Sequence, residues 1–178
     1  MNRIAFFVFF TSLLCLQCND RATKEPKKPN VVLLLADDMG YGDFEMIGRA
    51  TETPNLNRLA KEGVLFDNFY AAAPNCSPSR TGLLTGKSPA KVGMYSYRPP
   101  HHPLHLPDKE VTLAELLKTK GYRTAHIGKW HLGDLTQDAE LNHPQPHDQG
   151  FDHSLGTENN AEPSHLNPKN FILNGNAL

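Results

Sequence analysis

Three short stretches carry side chains whose types and spacing could do chemistry. Cys76-Ser77-Pro78-Ser79-Arg80 holds a thiol, the only cysteine outside the N-terminal apolar segment, with an arginine four residues on. Asn75 is a helix-capping residue type, and Pro78 suits a first helical turn, where its missing N–H costs nothing. A helix starting near Cys76 puts the sulfur at the positive helix end and Arg80 on the same face, an arrangement that attracts an anion. The plainer alternative is a buried free cysteine beside a surface arginine. Asp37-Asp38 ends an apolar run, and paired carboxylates there can bind a hard cation; a solvated acidic turn is the alternative. In Gly128-Lys129-Trp130-His131-Leu132-Gly133, alternation along an extended segment places Lys129 and His131 on one side, where both can face one anion. A solvated lysine and histidine after a strand are the alternative there.

The elements that must position these groups follow from apolar patterning. Residues 31–36, Val-Val-Leu-Leu-Leu-Ala, have the length and continuous apolarity of a strand buried on both faces. Its carboxylates then stand at a strand's C-terminal end, where open α/β sheets place ligands. Asp43 is expected to cap the following loop. Thr53-Pro54-Asn55 through Gly63 reads as cap, first-turn proline, apolar residues at i, i+3 and i+4, and a terminal glycine, hence a docking helix. Residues 64–70 predict a second strand delivering the chain to Cys76. Residues 87–107 read as loop, because Pro89, Pro99, Pro100, Pro103 and Pro107 block regular pairing. His101, His102 and His105 have no cysteine or acid at ligand spacing, which favours a substrate-side loop over a metal site. Thr112-Leu113-Ala114-Glu115 is a capping box opening a helix that runs to Gly121, and residues 122–127 predict a strand after it.

The 178 residues carry 18 Lys plus Arg against 19 Asp plus Glu, a balance that points neither to nucleic acid nor to an acidic tail. Met1-Asn2-Arg3 followed by apolar residues 4–16 has the charged start and short hydrophobic core of a secretory signal, too short to cross a bilayer comfortably. Residues 1–18 are therefore read as a leader, 19–29 as a polar linker, and 30–178 as the folded part. Export to the periplasm or exterior follows, with Cys18 a candidate lipid-anchored first residue. With Cys15 and Cys18 removed or lipidated, Cys76 has no disulfide partner in the mature chain.

Cys76-Ser77-Pro78-Ser79-Arg80, continuing through Thr81-Gly82 and Leu84-Thr85-Gly86, resembles the signature of the type I sulfatases, whose cysteine is oxidised to formylglycine. Asp37-Asp38, Thr53-Pro54-Asn55-Leu56, Gly128 to Gly133 and Gln149-Gly150-Phe151-Asp152 resemble other motifs of that family, in its order. The resemblance spans residues 29 to about 160. It implies an alkaline phosphatase-like α/β fold with a mixed, largely parallel central sheet flanked by helices, here incomplete. It implies sulfuric ester hydrolysis in which a hydrated formylglycine from Cys76 attacks sulfur through one hydroxyl and expels sulfate through the other. Asp37, Asp38 and modified Cys76 would then hold calcium, with magnesium the alternative cation. Arg80 would orient the modified residue, Lys129 would bridge it to the sulfate, and His131 would hydrogen-bond it and take its proton. A formylglycine-generating enzyme is the implied maturation partner, and a sulfated small molecule or glycan the implied substrate. Asn159, Asn160 and His165 are candidates to border that substrate. The family's later metal ligands, another His and another Lys have no counterpart by Leu178, so the chain reads as an N-terminal portion whose metal site is half built. Competing readings are a phosphodiesterase or phosphonate hydrolase of the same superfamily, and a noncatalytic binder of sulfated glycans through Arg80, Lys129 and the histidine-rich loop.

Overall fold

The computed structural model describes residues 27–48, 51–136 and 144–178; the leader with Cys15 and Cys18 lies outside them. None of the helices among these residues is long and apolar enough to cross a membrane. The chain forms two units, the first ending at Asp38 and the second running from Met39 to Leu178.

In the first unit, residues 27–38 contain no helix or strand. Val31 to Leu35 are 50 to 79% exposed, which overturns the expected strand buried on both faces. Continuous apolarity reports how much a segment gains from cover, whereas a strand also needs a neighbour to complete its ladder. The described part of this unit is too short to provide one.

The second unit begins with two turns of 3-10 helix, Tyr41–Asp43 and Glu45–Ile47. Asp43 caps the first as expected, its carboxylate accepting from the Gly40 N–H at 2.8 Å. Helix α1 (Pro54–Glu62) has Thr53 at its N-cap, proline in its first turn and Gly63 at its end, as its pattern predicts. It buries none of its residues, however, and Leu56 and Leu59 remain exposed, so the expected docking face is uncovered. Residues 64–70 correct a second expectation. They pair with no strand among the described residues, and Phe66, Phe69 and Tyr70 are exposed.

Helix α2 (Cys76–Thr85) starts where its residues predict, with Asn75 at the N-cap position, and Gly86 closes it at φ 66° through an N–H to the Gly82 carbonyl. The Asn75 side chain makes no capping bond. Inside α2, a Cβ on Gly82 would stand 2.4 Å from the Ala72 Cβ, so glycine lets the preceding segment lie against the helix. A short helix α3 (Pro89–Val92), nucleated by proline in its first turn, interrupts the segment expected to be all loop. Helix α4 (Leu113–Thr119) carries the complete capping box: Glu115 N–H donates to Thr112 Oγ1 at 3.2 Å, and Thr112 N–H to Glu115 Oε2 at 2.7 Å.

Strands β1 (Ala125–Lys129), β2 (His153–Thr157), β3 (Ile172–Leu173) and β4 (Asn176–Ala177) form one mixed sheet in that order, parallel between β1 and β2 and antiparallel thereafter. Strand β1 starts three residues later than expected. Ahead of it, Thr124 spends its N–H on Asp152 Oδ2 at 2.9 Å and its hydroxyl on the Gly150 carbonyl at 2.6 Å. Gly128 faces Gly156 in the parallel register, and a Cβ on Gly156 would fall 1.8 Å from the Gly128 oxygen. Only a glycine there lets the two strands approach. The core consists of Val92, Met94, Leu106, Trp130, Leu132, Leu135 and Ile172, with Leu84, Leu104 and Phe151 against it. It therefore draws on α2, α3, the loop after α3 and the segment leaving β1, and it anchors both chemistry-bearing stretches of this unit to one apolar mass.

Candidate active site

In the second unit the structure joins the Cys76 stretch to the Lys129–His131 stretch. Cys76 is the first residue of α2, half-buried, with no disulfide. One turn along, Arg80 donates from Nη1 to the Lys129 carbonyl at 2.7 Å, tying the first turns of the helix to the last residue of β1. Lys129 is half-buried. His131 is not in an extended segment: β1 ends at Lys129 and His131 adopts φ 57°, so its direction comes from a left-handed turn rather than from strand alternation. It is 2% exposed.

The His131 ring is held by one bond, Nε2 to the Arg98 carbonyl at 2.7 Å, while its buried Nδ1 has no partner. A carbonyl only accepts, so Nε2 carries the hydrogen and Nδ1 keeps its lone pair. Burial pushes the His131 pKa down, Arg98's carbonyl opposes this, and the charges of Lys129, Arg80 and Arg98 push it down further. A neutral imidazole thus sits among three cations, a setting suited to an anion and to a base that stays unprotonated at neutral pH.

Arg98, Asp134 and Glu158 were invisible to sequence reasoning. Arg98 is completely buried, its Nη2 2.5 Å from Asp134 Oδ2 and its Nη1 bonded to Glu158 Oε1. Its backbone N–H donates to Ser77 Oγ at 3.0 Å, in the first turn of α2. Burial raises the Glu158 carboxyl above the usual range, Arg98 pulls it down, and neighbouring Asp134 pushes it up. The only local signal was an arginine before Pro99-Pro100 in a loop, which says nothing about burial.

His126, also unanticipated, is edge-on to Trp130 at 5.2 Å and to Phe151 at 5.4 Å between ring centres. Burial, then the Arg80 charge, lowers its pKa from 6.5 to about 4, against a backbone bond at Lys129. In the histidine-rich loop, His102 Nδ1 accepts from Leu104 N–H at 3.0 Å and His105 Nδ1 lies 2.7 Å from the Pro103 carbonyl, so both rings shape their own loop. Asn160 uses its carbonyl to accept from Thr157 Oγ1 and Asn170 Nδ2.

In the first unit, Asp37 and Asp38 are exposed, and a carboxylate oxygen of one lies within 4.8 Å of one of the other. Asp38 is left-handed at φ 58°. Two adjacent carboxylates with no apolar cover supply the hard oxygen donors that calcium or magnesium takes, so the donor chemistry fits such an ion.

Comparisons with known proteins bear on this site. The family model described as Sulfatase matches residues 29–176. N-acetylgalactosamine-6-sulfatase of Homo sapiens is 47% identical over 147 residues, covering 78% of this chain and 27% of that protein. Arylsulfatase A of Homo sapiens is 46% identical over 132 residues, 73% of this chain and 25% of that protein. The chain thus spans about a quarter of the length of these curated relatives. Among solved structures, a protein described within the glycosaminoglycan-metabolising locus of Bacteroides thetaiotaomicron superposes with a TM-score of 0.72 at 34% identity, over 86% of this chain and 32% of that one. Another, solved with its substrate D-glucosamine-2-N,6-O-disulfate, gives 0.64 at 31% identity, over 85% of this chain and 28% of that one.

Proposed function

This chain belongs to the sulfatase family, with the α/β, alkaline phosphatase-like fold of its solved neighbours, and from that premise we propose that it hydrolyses sulfate esters at Cys76 after conversion of that residue to formylglycine. The observation carrying the reading is the neutral His131 among Lys129, Arg80 and Arg98, joined by Arg80 to the helix that begins at Cys76.

Formylglycine, once formed, supplies a geminal diol as nucleophile, and a cation supplies charge neutralisation for the sulfuryl oxygens. Asp37 and Asp38 would hold that cation, calcium in preference to magnesium, together with the modified Cys76. Arg80 braces the first turns of α2 against β1 and contributes positive charge. Lys129 contacts the sulfate oxygens and neutralises their developing charge. His131, with Nδ1 open, accepts a hydroxyl proton from the nucleophile. The wider assignment is part of the same proposal. The substrate is a sulfated glycan or small molecule, as D-glucosamine-2-N,6-O-disulfate is for one solved neighbour. Maturation requires a formylglycine-generating enzyme, and the apolar leader directs export, with Cys18 a candidate lipid acceptor.

The test combines mass and turnover on protein purified from its own host. Conversion of Cys76 removes about 18 Da, because the CH2–SH side chain becomes CHO, losing sulfur and two hydrogens and gaining one oxygen. The reading expects that loss on the peptide containing Cys76, together with hydrolysis of sulfate monoesters that a Cys76→Ala variant lacks. An unmodified Cys76, or turnover of phosphate diesters without sulfate esters, would overturn it.

A further inference from the structure

His131 is an acceptor only if its ring cannot flip or exchange its proton between nitrogens, and its own neighbours do not secure this. Its single ring bond is to a backbone carbonyl, that of Arg98, in a loop outside the sheet and 33 residues away. A loop carbonyl holds position only as well as its residue is anchored. Arg98 is anchored at three points from three parts of the fold. Its guanidinium is held by Asp134, three residues beyond His131, and by Glu158, just past β2, while its N–H is held by Ser77 in α2. Arg98, Asp134 and Ser77 are 0 to 1% exposed. Two carboxylates on one guanidinium make a forked, charge-assisted clamp with little freedom to rotate.

We propose that Arg98 is a positioning residue for His131: the Asp134–Arg98–Glu158 clamp immobilises the Arg98 carbonyl, which holds His131 in the Nε2–H tautomer with Nδ1 open to the reacting group. The assignment of a proton-accepting role to Nδ1 rests on the sulfatase reading; the tautomer itself does not. The bond from Arg98 N–H to Ser77 adds a consequence, because the residue next to Cys76 and the base are then registered by the same arginine. The carbonyl is present whatever side chain stands at position 98. Substitution therefore acts through the position of the backbone, not through loss of the acceptor.

The experiment reads the ring nitrogens of the whole chain labelled with 15N-histidine, by long-range 1H–15N correlation at neutral pH. The nine histidines are resolved by comparison with a His131→Gln variant. The wild type is expected to show His131 as a single Nε2–H tautomer. Arg98→Met leaves a buried carboxylate, Asp134, and a half-buried one, Glu158, uncompensated and can prevent folding. The decisive variant is therefore Arg98→Met combined with Asp134→Asn and Glu158→Gln, which removes all three charges and keeps the volumes. Its His131 signals are expected to collapse to an average of both tautomers while far-ultraviolet circular dichroism is unchanged, and Arg98→Lys is expected to restore only part of the single-tautomer pattern. A wild-type His131 protonated on Nδ1 would overturn the proposal, and so would a charge-free variant that keeps the pure Nε2–H pattern. The expected tautomer pattern in a protein that hydrolyses no sulfate ester would instead sink the functional reading and leave the clamp intact.

Discussion

Acidification should destabilise this protein through His126, and the size of the effect follows from its surroundings. Burial against Trp130 and Phe151, with the Arg80 charge nearby, takes the His126 pKa from 6.5 to about 4. Between those values the unfolded chain carries a proton on His126 that the native chain refuses, so stability is fully present above pH 6.5 and is lost as the pH falls toward 4. That depression corresponds to about 3 kcal/mol. Between pH 7 and 4.5 about 2 kcal/mol of that is expressed, allowing for partial exposure of the ring. His126→Phe keeps a ring against Trp130 and Phe151 and removes the titration. Urea unfolding followed by emission of Trp130, the single tryptophan, reports the stability of both proteins at each pH. Wild type is expected to lose about 2 kcal/mol more than the variant on going to pH 4.5. Three other groups titrate in both proteins and cancel in the comparison. His131, whose pKa is lowered, acts in the same direction as His126, and Glu158, whose pKa is raised, acts in the opposite one. Asp152, pulled down to about 2 by Lys118 and by the Thr124 backbone, acts only below about pH 4. Equal losses in wild type and variant, within about 0.5 kcal/mol, would refute the reasoning.

Two further outcomes test other parts of the molecule. Gly156→Ala would force a Cβ to within 1.8 Å of the Gly128 carbonyl oxygen, which neither strand can yield; it is expected to cost more than about 3 kcal/mol and abolish soluble folded protein, judged by circular dichroism. Replacing Asp37 and Asp38 together by asparagine, in a segment that is exposed, is expected to remove most calcium affinity in a calorimetric titration while leaving the melting temperature without calcium unchanged. Undiminished calcium binding by that variant would move the cation site elsewhere.

What could be read from residues alone was chemistry that closes within a few positions. The start of α2 at Cys76, the Thr112–Glu115 capping box and the limits of α1 all depend on neighbours no more than about four residues away. The family motifs were legible for the same reason, since each is a contiguous string. What tertiary structure decided was everything requiring a distant partner. The runs at 31–36 and 64–70 are apolar enough for strands, yet a ladder needs another segment, and no local pattern shows whether one is there. His131 lies in a left-handed turn whose ring is set by a carbonyl 33 residues away, so alternation from Lys129 misjudged it. Arg98 reads as an ordinary loop arginine, and its burial becomes tolerable only because Glu158, 60 residues on, and Asp134 close around it. A buried charge is stable only with its counter-charges in place, and that condition belongs to the folded chain rather than to any stretch of it.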